Sequence, residues 1–333
     1  DFNVYTLSVG PFSSNWDRAI EAYTQIKGGC VDYGYQHAQK YNIIQRPEEK
    51  CYEGLYPEWD AEHPIHIIGH SQGGLTARML EYLLEIKMEQ EQSELLSKSY
   101  DNYIKSITTL STPHNGTSLS LIVNDSFLSI QKLSAYGGIL NNILFTNYYD
   151  FDLDQWGLKK NDDETYYQFI QRVNTSEIQL TKNSAAWDLS INGANYFNEL
   201  YESNPNTYYF SYSTSSTIPK KWFGHSKKYH KPNNKMSYLL RGTARLMGKD
   251  QGLELSSLWY ENDGIVNTIS MDGPHDEIII QYSNINIPIK GKWQNMGRLY
   301  YDHHQVLFRR MIKDHTEELL ILYIQHCKLL YSL

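Results

Sequence analysis

Residues 69–73 (GHSQG) contain a serine in a setting that can activate it for chemistry. The pattern G-x-S-x-G requires a very tight turn between a strand and a helix, whose glycines leave room for a strained serine with an exposed hydroxyl. A short β-branched run, Ile65 to Gly69, precedes the serine, and a predicted helix, Leu75 to Met88, follows it. This context predicts that Ser71 is a nucleophile. The backbone N–H of Gln72, at the start of the helix, is the natural donor to an oxyanion.

A serine nucleophile of this kind needs a base and an acid, which follow it along the chain in the order acid, then histidine. Asp263 is the best candidate for the acid, because it lies in an Asn-Asp-Gly turn beside a small apolar run. A plain Asx turn is the alternative interpretation. The candidate bases are His275, in a Pro-His-Asp turn, and His303 and His304, in a loop before the C-terminal helix. The base normally projects from the loop before that helix, and the residues alone do not separate His303 from His304. His315 and His326 lie in or next to the helix itself.

Strand candidates alternate with helical stretches along the chain, which indicates an α/β sheet. The predicted strands are Asn3 to Val9, Ile65 to Gly69, Tyr103 to Leu110, Tyr208 to Ser213 and Glu277 to Tyr282, and an amphipathic helix is predicted over Thr316 to Leu330. Two apolar stretches, residues 118–145 and 236–247, do not fit this alternation. They are interpreted either as lid helices whose apolar face meets lipid or as ordinary core helices, and the residues favour neither.

Composition bounds the class of protein. The chain has 333 residues, with 20% charged and 41% hydrophobic side chains, which fits a globular chain with a large core. A net charge of −8 without a long basic run argues against nucleic acid as a partner. No run is long and apolar enough to cross a membrane. Cys30, Cys51 and Cys327 are too few and too scattered to predict a disulfide framework or a cysteine zinc site.

Eight segments resemble, in order and over most of the chain, the large bacterial triacylglycerol lipases of the staphylococcal and thermophilic-bacillus type. The segments are residues 9–29 (VGPFSSNWDRAIEAYTQIKGG), 31–38 (VDYGYQHA), 66–74 (HIIGHSQGG), 110–120 (LSTPHNGTSLS), 152–158 (DLDQWGL), 187–194 (WDLSINGA), 208–214 (YYFSYST) and 259–274 (WYENDGIVNTISMDGP). The resemblance implies an α/β-hydrolase fold, with a mostly parallel sheet flanked by helices. It also implies a single domain over residues 1–333, with lid insertions at about 117–147 and 232–255.

The resemblance further implies a secreted carboxylic-ester hydrolase, a triacylglycerol lipase, that acts on long-chain acyl esters at an oil–water or membrane surface. Carried over by position, the nucleophile is Ser71 and the acid is Asp263. The Asp-His pair of the family falls on residues 302–303, which selects His303 over His304 as the base.

Two metals are associated with the family. Its structural zinc is held by two Asp and two His, and Asp17, His37 and Asp188 fall on three of these positions. The fourth ligand is a histidine shortly after His37, but residues 41–45 (YNIIQ) contain none, so zinc is expected to bind more weakly if it binds. The family also binds calcium through acidic groups close after the base. Residues 305–310 (QVLFRR) lack such groups, so calcium is not expected there.

The start of the chain differs from the family. Family members begin with a strand that ends in His-Gly-Phe and supplies a second oxyanion donor, followed by a helix. Neither precedes Asn3, and there is no initiator Met or signal peptide, so the sequence is expected to lack the first strands and to begin within a longer protein. Loss of one oxyanion donor costs roughly 10²–10³ in turnover.

These expectations leave several functions open. The first hypothesis is a lipase, with phospholipase A1 activity as a variant. The second is a catalytically weak or inactive lipase-like fragment that binds lipid surfaces. A small-ester esterase without lids is a third, which the two apolar stretches disfavour.

Overall fold

The computed structural model describes residues 3–123, 152–176, 178, 181–221, 228–250, 252, 254–308 and 313–333. Its strands are β1 (Gly29–Cys30), β2 (Cys51–Tyr52), β3 (Ile65–His70), β4 (Ile104–Leu110), β5 (Tyr208–Thr214), β6 (Thr217–Lys221), β7 (Lys228–Pro232), β8 (Ile279–Gln281) and β9 (Trp293–Leu299). Its α-helices are α1 (Asn15–Lys27), α2 (Tyr35–Tyr41), α3 (Gln72–Glu85), α4 (Ser118–Val123), α5 (Tyr166–Asn174), α6 (Ala185–Asp188), α7 (Ile191–Leu200), α8 (Arg241–Met247) and α9 (Lys313–Tyr331).

The chain forms two compact units. Unit 1 comprises Asp1–Ile65, Leu75–Ile104 and Val123–Gly193, and unit 2 comprises His66–Gly74, Lys105–Ile122 and Ala194–Leu333. Among the described residues, no helix has the length and apolar composition needed to span a bilayer.

A five-stranded sheet in the order β3-β4-β5-β9-β8 positions the candidate site. Strands β4, β5 and β9 run parallel, with Ile107 opposite Tyr209 and Tyr209 opposite Trp293, and all three side chains are fully buried. Strands inside a parallel sheet are expected to be buried along their length, and six of the seven residues in each of β4 and β5 are buried. The carboxyl ends of parallel strands meet at one edge of the sheet, so the residues that follow β3, β4 and β5 gather there.

The structure confirms the predicted strands β3, β4 and β5 and places the short strand β8 within the segment predicted from Glu277 to Tyr282. It differs from the sequence-based expectations at one predicted strand and at one strand that the sequence does not predict. Residues 3–9 form no strand, because the N–H and carbonyl of Ser8 bond to the side-chain amide of Gln25 instead of to a neighbouring strand. Strand β9 was not predicted. Its sequence, WQNMGRL, has no regular alternation, and Gly297 interrupts it in a left-handed conformation.

Two of the three cysteines form a bridge. Cys30 and Cys51 form a disulfide across the antiparallel pair β1 and β2, although their spacing in the sequence does not predict it. Pairing of these two short strands brings the cysteines opposite each other, which only the fold reveals. Cys327 is a free thiol.

The two predicted lid insertions are described to different extents. Of the first, residues 117–123 are described, including α4, and residues 124–147 lie outside the described part of the chain. The second contains a 3₁₀ turn, Tyr238–Leu240, followed by α8. Met236, Leu240 and Ala244 form a buried apolar cluster, whereas Tyr238 is 84% exposed. This second segment is therefore amphipathic.

Candidate active site

The turn between β3 and α3 has the strained geometry that the G-x-S-x-G pattern predicts. Ser71 has a φ of 55°, in the left-handed region that non-glycine residues rarely adopt. A Cβ on Gly69 would lie 2.5 Å from the backbone of Gly73, so only glycine fits at this position. The N–H of Ser71 donates to the carbonyl of Leu110 at the end of β4, and its carbonyl accepts from the hydroxyl of Thr112. These bonds hold the strained turn in place.

Helix α3 begins at Gln72, three residues earlier than the sequence predicts. The backbone N–H of Gln72 therefore belongs to the first turn of the helix. The positive end of the helix dipole lies at the same place. The predicted oxyanion donor is thus at a position suited to that role.

Asp263 is fully buried in the loop that follows the 3₁₀ turn Ser257–Tyr260. One carboxylate oxygen, Oδ1, accepts from the backbone N–H groups of Ile265 and Val266, at 3.0 and 2.8 Å. The other, Oδ2, accepts from the hydroxyl of Thr214 at 2.7 Å and from His303. Burial alone would raise the pKa of Asp263, but the charge and hydrogen bond of His303 and these N–H groups lower it below its ordinary value. Asp263 is therefore an anion.

His303 pairs with Asp263 through a hydrogen bond of 2.8 Å from Nδ1 to Oδ2. Because a carboxylate only accepts, Nδ1 carries the proton and Nε2 of the neutral ring is the basic nitrogen. The backbone N–H of His303 also donates to the carbonyl of Asp263, at 3.1 Å. The acid therefore fixes both the tautomer and the backbone of the base.

The nucleophile turn and the base meet through the residue before Ser71. The ring of His70 lies 4.6 Å from the ring of His303, centroid to centroid, and its Nε2 lies 2.9 Å from the His303 carbonyl oxygen. The structure thus brings Asp263 into contact with His303, and His303 against the neighbour of Ser71.

The other candidate bases lie elsewhere. His275 is exposed, and its Nε2 faces the carbonyl of Ile269 at 3.4 Å. His326 is buried between the hydroxyls of Thr108 and Tyr212. His275 and His326 therefore have described partners other than Asp263.

His304 and His315 follow His303 along the chain. The backbone N–H of His304 donates to the carboxylate of Asp302, and its ring centroid lies 5.8 Å from that of His303. His315 lies in α9. Of the histidines with described side chains, His303 is the one shown paired with Asp263.

The sequence did not predict two hydroxyl residues, Thr214 and Ser111, that form hydrogen bonds behind Asp263, on the side away from Ile265 and Val266. The hydroxyl of Thr214, at the end of β5, donates to Asp263, and the hydroxyl of Ser111, after β4, lies 2.8 Å from that of Thr214. The one signal available was the position of both residues at the carboxyl ends of neighbouring parallel strands.

The predicted metal ligands lie in unit 1. Nε2 of His37 is 2.9 Å from Oδ1 of Asp17, and Oδ2 of Asp17 accepts from the side-chain amide of Asn183 at 2.8 Å. Asp188 accepts from the backbone N–H of Asn15. Burial chiefly, together with the charge of Asp17, raises the pKa of Asp188 to about 7.

This arrangement does not fit a bound zinc ion. The coordinating atoms of Asp17 and His37 bond to each other, and a second donor occupies the other oxygen of Asp17. A structural zinc site needs about four ligands that point at one centre. Among the described residues, no group of three or more His, Cys, Asp or Glu side chains could hold a metal ion.

The described residues after the candidate base likewise offer little to calcium. Residues 305–308 are Gln, Val, Leu and Phe, and the side-chain amide of Gln305 is already bonded to the backbone of Asp302 and Lys235. Arg309 and Arg310 lie outside the described residues.

A parallel sheet that carries a serine in a tight strand-to-helix turn, with a buried Asp–His pair at the same edge, defines an α/β-hydrolase. A profile described as "Lipase-like, C-terminal domain" matches residues 1–321. The chain belongs to this lipase family.

Individual relatives agree with the family assignment. The chain is 36% identical to a lipase of Staphylococcus epidermidis over 306 residues, which are 88% of this chain and 42% of that protein. It is 37% identical over 304 residues to lipase 1 of Staphylococcus aureus, with the same two coverages. The chain thus spans about two fifths of the length of these curated relatives.

Solved structures show the same fold. The structure of EstA from Clostridium botulinum is similar to this chain with a TM-score of 0.85 and 35% identity, over 99% of this chain and 78% of that one. The crystal structure of Staphylococcus hyicus lipase gives a TM-score of 0.82 and 32% identity, over 98% and 85%.

Proposed function

We propose that this chain hydrolyses carboxylic esters of long-chain acids, triacylglycerols above all, with Ser71 as nucleophile, His303 as base and Asp263 as acid. The observation that carries the proposal is the 2.8 Å bond from Nδ1 of His303 to buried Asp263. It leaves Nε2 as the basic nitrogen of a ring that lies 4.6 Å from the ring of His70, the neighbour of Ser71. Membership in a family whose relatives are named lipases supports the same reaction.

The chemistry proceeds by two acyl transfers. Nε2 of His303 takes the hydroxyl proton of Ser71 while Oγ attacks the ester carbonyl carbon. The tetrahedral intermediate collapses, the C–O bond to the alcohol breaks, and His303 returns the proton to the departing alcohol. Water then attacks the acyl-enzyme, giving its proton to His303, and the carboxylic acid leaves as the proton returns to Ser71. Asp263 stays ionised and stabilises the imidazolium that forms in each half of the cycle.

The negative oxygen of each tetrahedral intermediate needs donors that are fixed before the reaction. The N–H of Gln72, at the start of α3, supplies one, because the strained turn directs the first turn of the helix at the carbonyl attacked by Ser71. The fixed backbone donor spares the reaction the cost of reorganising solvent.

The second lid segment favours long-chain esters as the proposed substrates. Tyr238, Leu239 and Leu246 are exposed on the 3₁₀ turn and α8, while the opposite face packs on a buried cluster. A short amphipathic segment of this kind binds to the surface of a lipid aggregate through its apolar side. The partner is then a lipid–water surface that presents the ester.

Structural zinc is, in our proposal, replaced in unit 1 by hydrogen bonds within the protein. Asp17 accepts from Asn183 and pairs with His37, so buried α1 is connected to the segment that precedes α6 without an ion. These hydrogen bonds, rather than a metal ion, then stabilise unit 1.

Secretion is also part of the proposal. The disulfide between Cys30 and Cys51 supports it, because disulfides persist mainly in oxidising compartments.

The function is tested with p-nitrophenyl esters from acetyl to palmitoyl and with emulsified triolein. Ser71→Ala is expected to lower kcat by about 10⁴-fold or more, and Ser99→Ala, at an exposed serine, serves as the matched control. Hydrolysis that prefers long chains and disappears with Ser71 supports the proposal. Hydrolysis that survives Ser71→Ala would contradict it, and a preference for acetyl esters would restrict it to small esters.

A further inference from the structure

His70 contacts the candidate base at a point that the reaction scheme does not use. It is the last residue of β3 and directly precedes Ser71. Its Nε2 lies 2.9 Å from the carbonyl oxygen of His303. A carbonyl oxygen only accepts, so Nε2 of His70 carries the proton and donates it. The sequence motif leaves this position open, and no role in the two acyl transfers requires a histidine there.

We propose that His70 is a positioning residue for His303. This inference rests on the proposed function and deepens it. Three hydrogen bonds hold the base: its Nδ1–H and its backbone N–H both donate to Asp263, and its carbonyl accepts from His70. The first two bonds come from the acid loop. The third comes from the strand that carries the nucleophile, so His70 couples the base directly to the turn of Ser71.

The coupling matters because proton transfer is sensitive to geometry. The described bonds of this loop to Asp263, Ser237 and Lys235 do not reach β3, so they leave the loop some freedom to shift relative to the nucleophile turn. The bond from His70 removes this freedom, since β3 and the nucleophile turn are one continuous piece of backbone. A displacement of about 1 Å in a catalytic group costs roughly 10²-fold in rate.

The lowered pKa of His70 suits it to a position next to His303. Burial chiefly, and then the charge of His303, lower the pKa of His70 to about 3. The titratable groups that interact with it are His303 and His304, which oppose its protonation, and Asp263, which favours it. A neutral ring 4.6 Å from His303 supplies a donor without adding a positive charge beside the imidazolium that forms during the reaction. A lysine or arginine would supply the donor together with that charge.

Two substitutions separate positioning from packing. His70→Phe keeps a planar ring but removes the donor, whereas His70→Gln keeps an N–H donor in place of Nε2 and removes the ring. Positioning predicts that His70→Phe lowers kcat by about 10- to 100-fold with little change in KM. It also predicts that His70→Gln retains kcat within about threefold of the natural chain. The thermal midpoint of each variant shows whether it is folded.

His66→Phe is the matched control, because His66 lies in the same strand, about 13 Å from His70 by strand rise, and bonds to Ser106. It is expected to leave kcat unchanged. If folded His70→Phe and His70→Gln lose kcat equally, or if neither loses it, the positioning role is wrong. If the natural chain itself shows no hydrolysis that depends on Ser71, the proposed function fails instead, so the two failures are distinguishable.

Discussion

At the scale of single residues, the candidate site depends on the hydrogen bonds that the buried carboxylate of Asp263 accepts. Both oxygens of Asp263 accept two hydrogen bonds each, from two backbone N–H groups on one side and from Thr214 and His303 on the other. An unpaired carboxylate in this fully buried place would be costly, so the charge is retained because every acceptor is used. The same bonds give His303 the tautomer that a general base needs.

Asp263→Asn tests this arrangement. The amide oxygen can still accept from Ile265 and Val266, but an amide NH₂ then faces Nδ1 of His303 and favours the wrong tautomer. We expect kcat to fall by about 10⁴-fold, with the variant still folded by its thermal midpoint. Glu261→Gln, in the same loop and paired with Arg298 at the surface, is the control and keeps its activity. A loss below about tenfold in folded Asp263→Asn would argue against the acid role.

At the scale of elements, strand ends and loops carry the site while the sheet fixes them. The loop of the base is closed on itself, because Asp302 accepts from the N–H groups of His304 and Gln305. The other oxygen of Asp302 accepts from the N–H of Ser237. The loop is thereby bonded to the start of the second lid segment, so the lid segment and the base loop share an anchor.

Helix α9 packs on the sheet through a buried histidine, and this predicts a dependence of stability on pH. His326 lies between the hydroxyls of Thr108 and Tyr212, and burial, followed by the charge of His66, lowers its pKa to about 4. The ordinary pKa is about 6.5, so between pH 6.5 and 4 the unfolded chain binds more protons than the folded one. The free energy of unfolding therefore falls as the pH drops through this window.

His326→Gln removes this titration. Between pH 7 and pH 4.5, the drop in the free energy of unfolding is expected to be smaller in the variant, by on the order of 2 kcal/mol. Urea melts at the two pH values measure the difference, and His275→Gln, at an exposed histidine, is the control. An equal drop in His326→Gln and the natural chain would show that His326 does not keep its neutral form in the fold.

At the scale of the whole molecule, the residues proposed to react are easier to predict from the sequence than the residues that hold them in position. The residues alone predict Ser71 from its tight turn and favour Asp263 beside a small apolar run, whereas the choice of His303 over His304 rests on the family resemblance. Thr214 and His70 were not predicted, because their roles depend on which strand ends meet in space. The disulfide between Cys30 and Cys51 cannot be predicted from the sequence for the same reason, because it depends on which strands lie side by side.

The incorrect strand over residues 3–9 has a different cause. Its apolar residues Tyr5, Leu7 and Val9 do alternate, but Tyr5 and Leu7 are 57% and 38% exposed and the backbone of Ser8 bonds to a helix side chain. Local pattern predicts what a segment prefers, and the available tertiary partners decide what it forms.

The metal proposal is also tested on the intact chain. Because Asp17 and His37 satisfy each other, the purified protein is expected to contain substantially less than one zinc per chain by elemental mass spectrometry. EDTA and added zinc are each expected to leave the thermal midpoint unchanged. Stoichiometric zinc, or a midpoint that falls with EDTA and returns with zinc, would show that these residues do form a metal site.

The central claim is that Ser71 is a nucleophile activated by His303 and Asp263. Its most direct measurement is covalent trapping by a fluorophosphonate, followed by peptide mapping of the adduct by mass spectrometry. One adduct is expected, on the peptide that contains Ser71, and it is expected to form far more slowly in a folded His303→Gln variant. An adduct on another serine, or labelling of Ser71 at the same rate without His303, would contradict it.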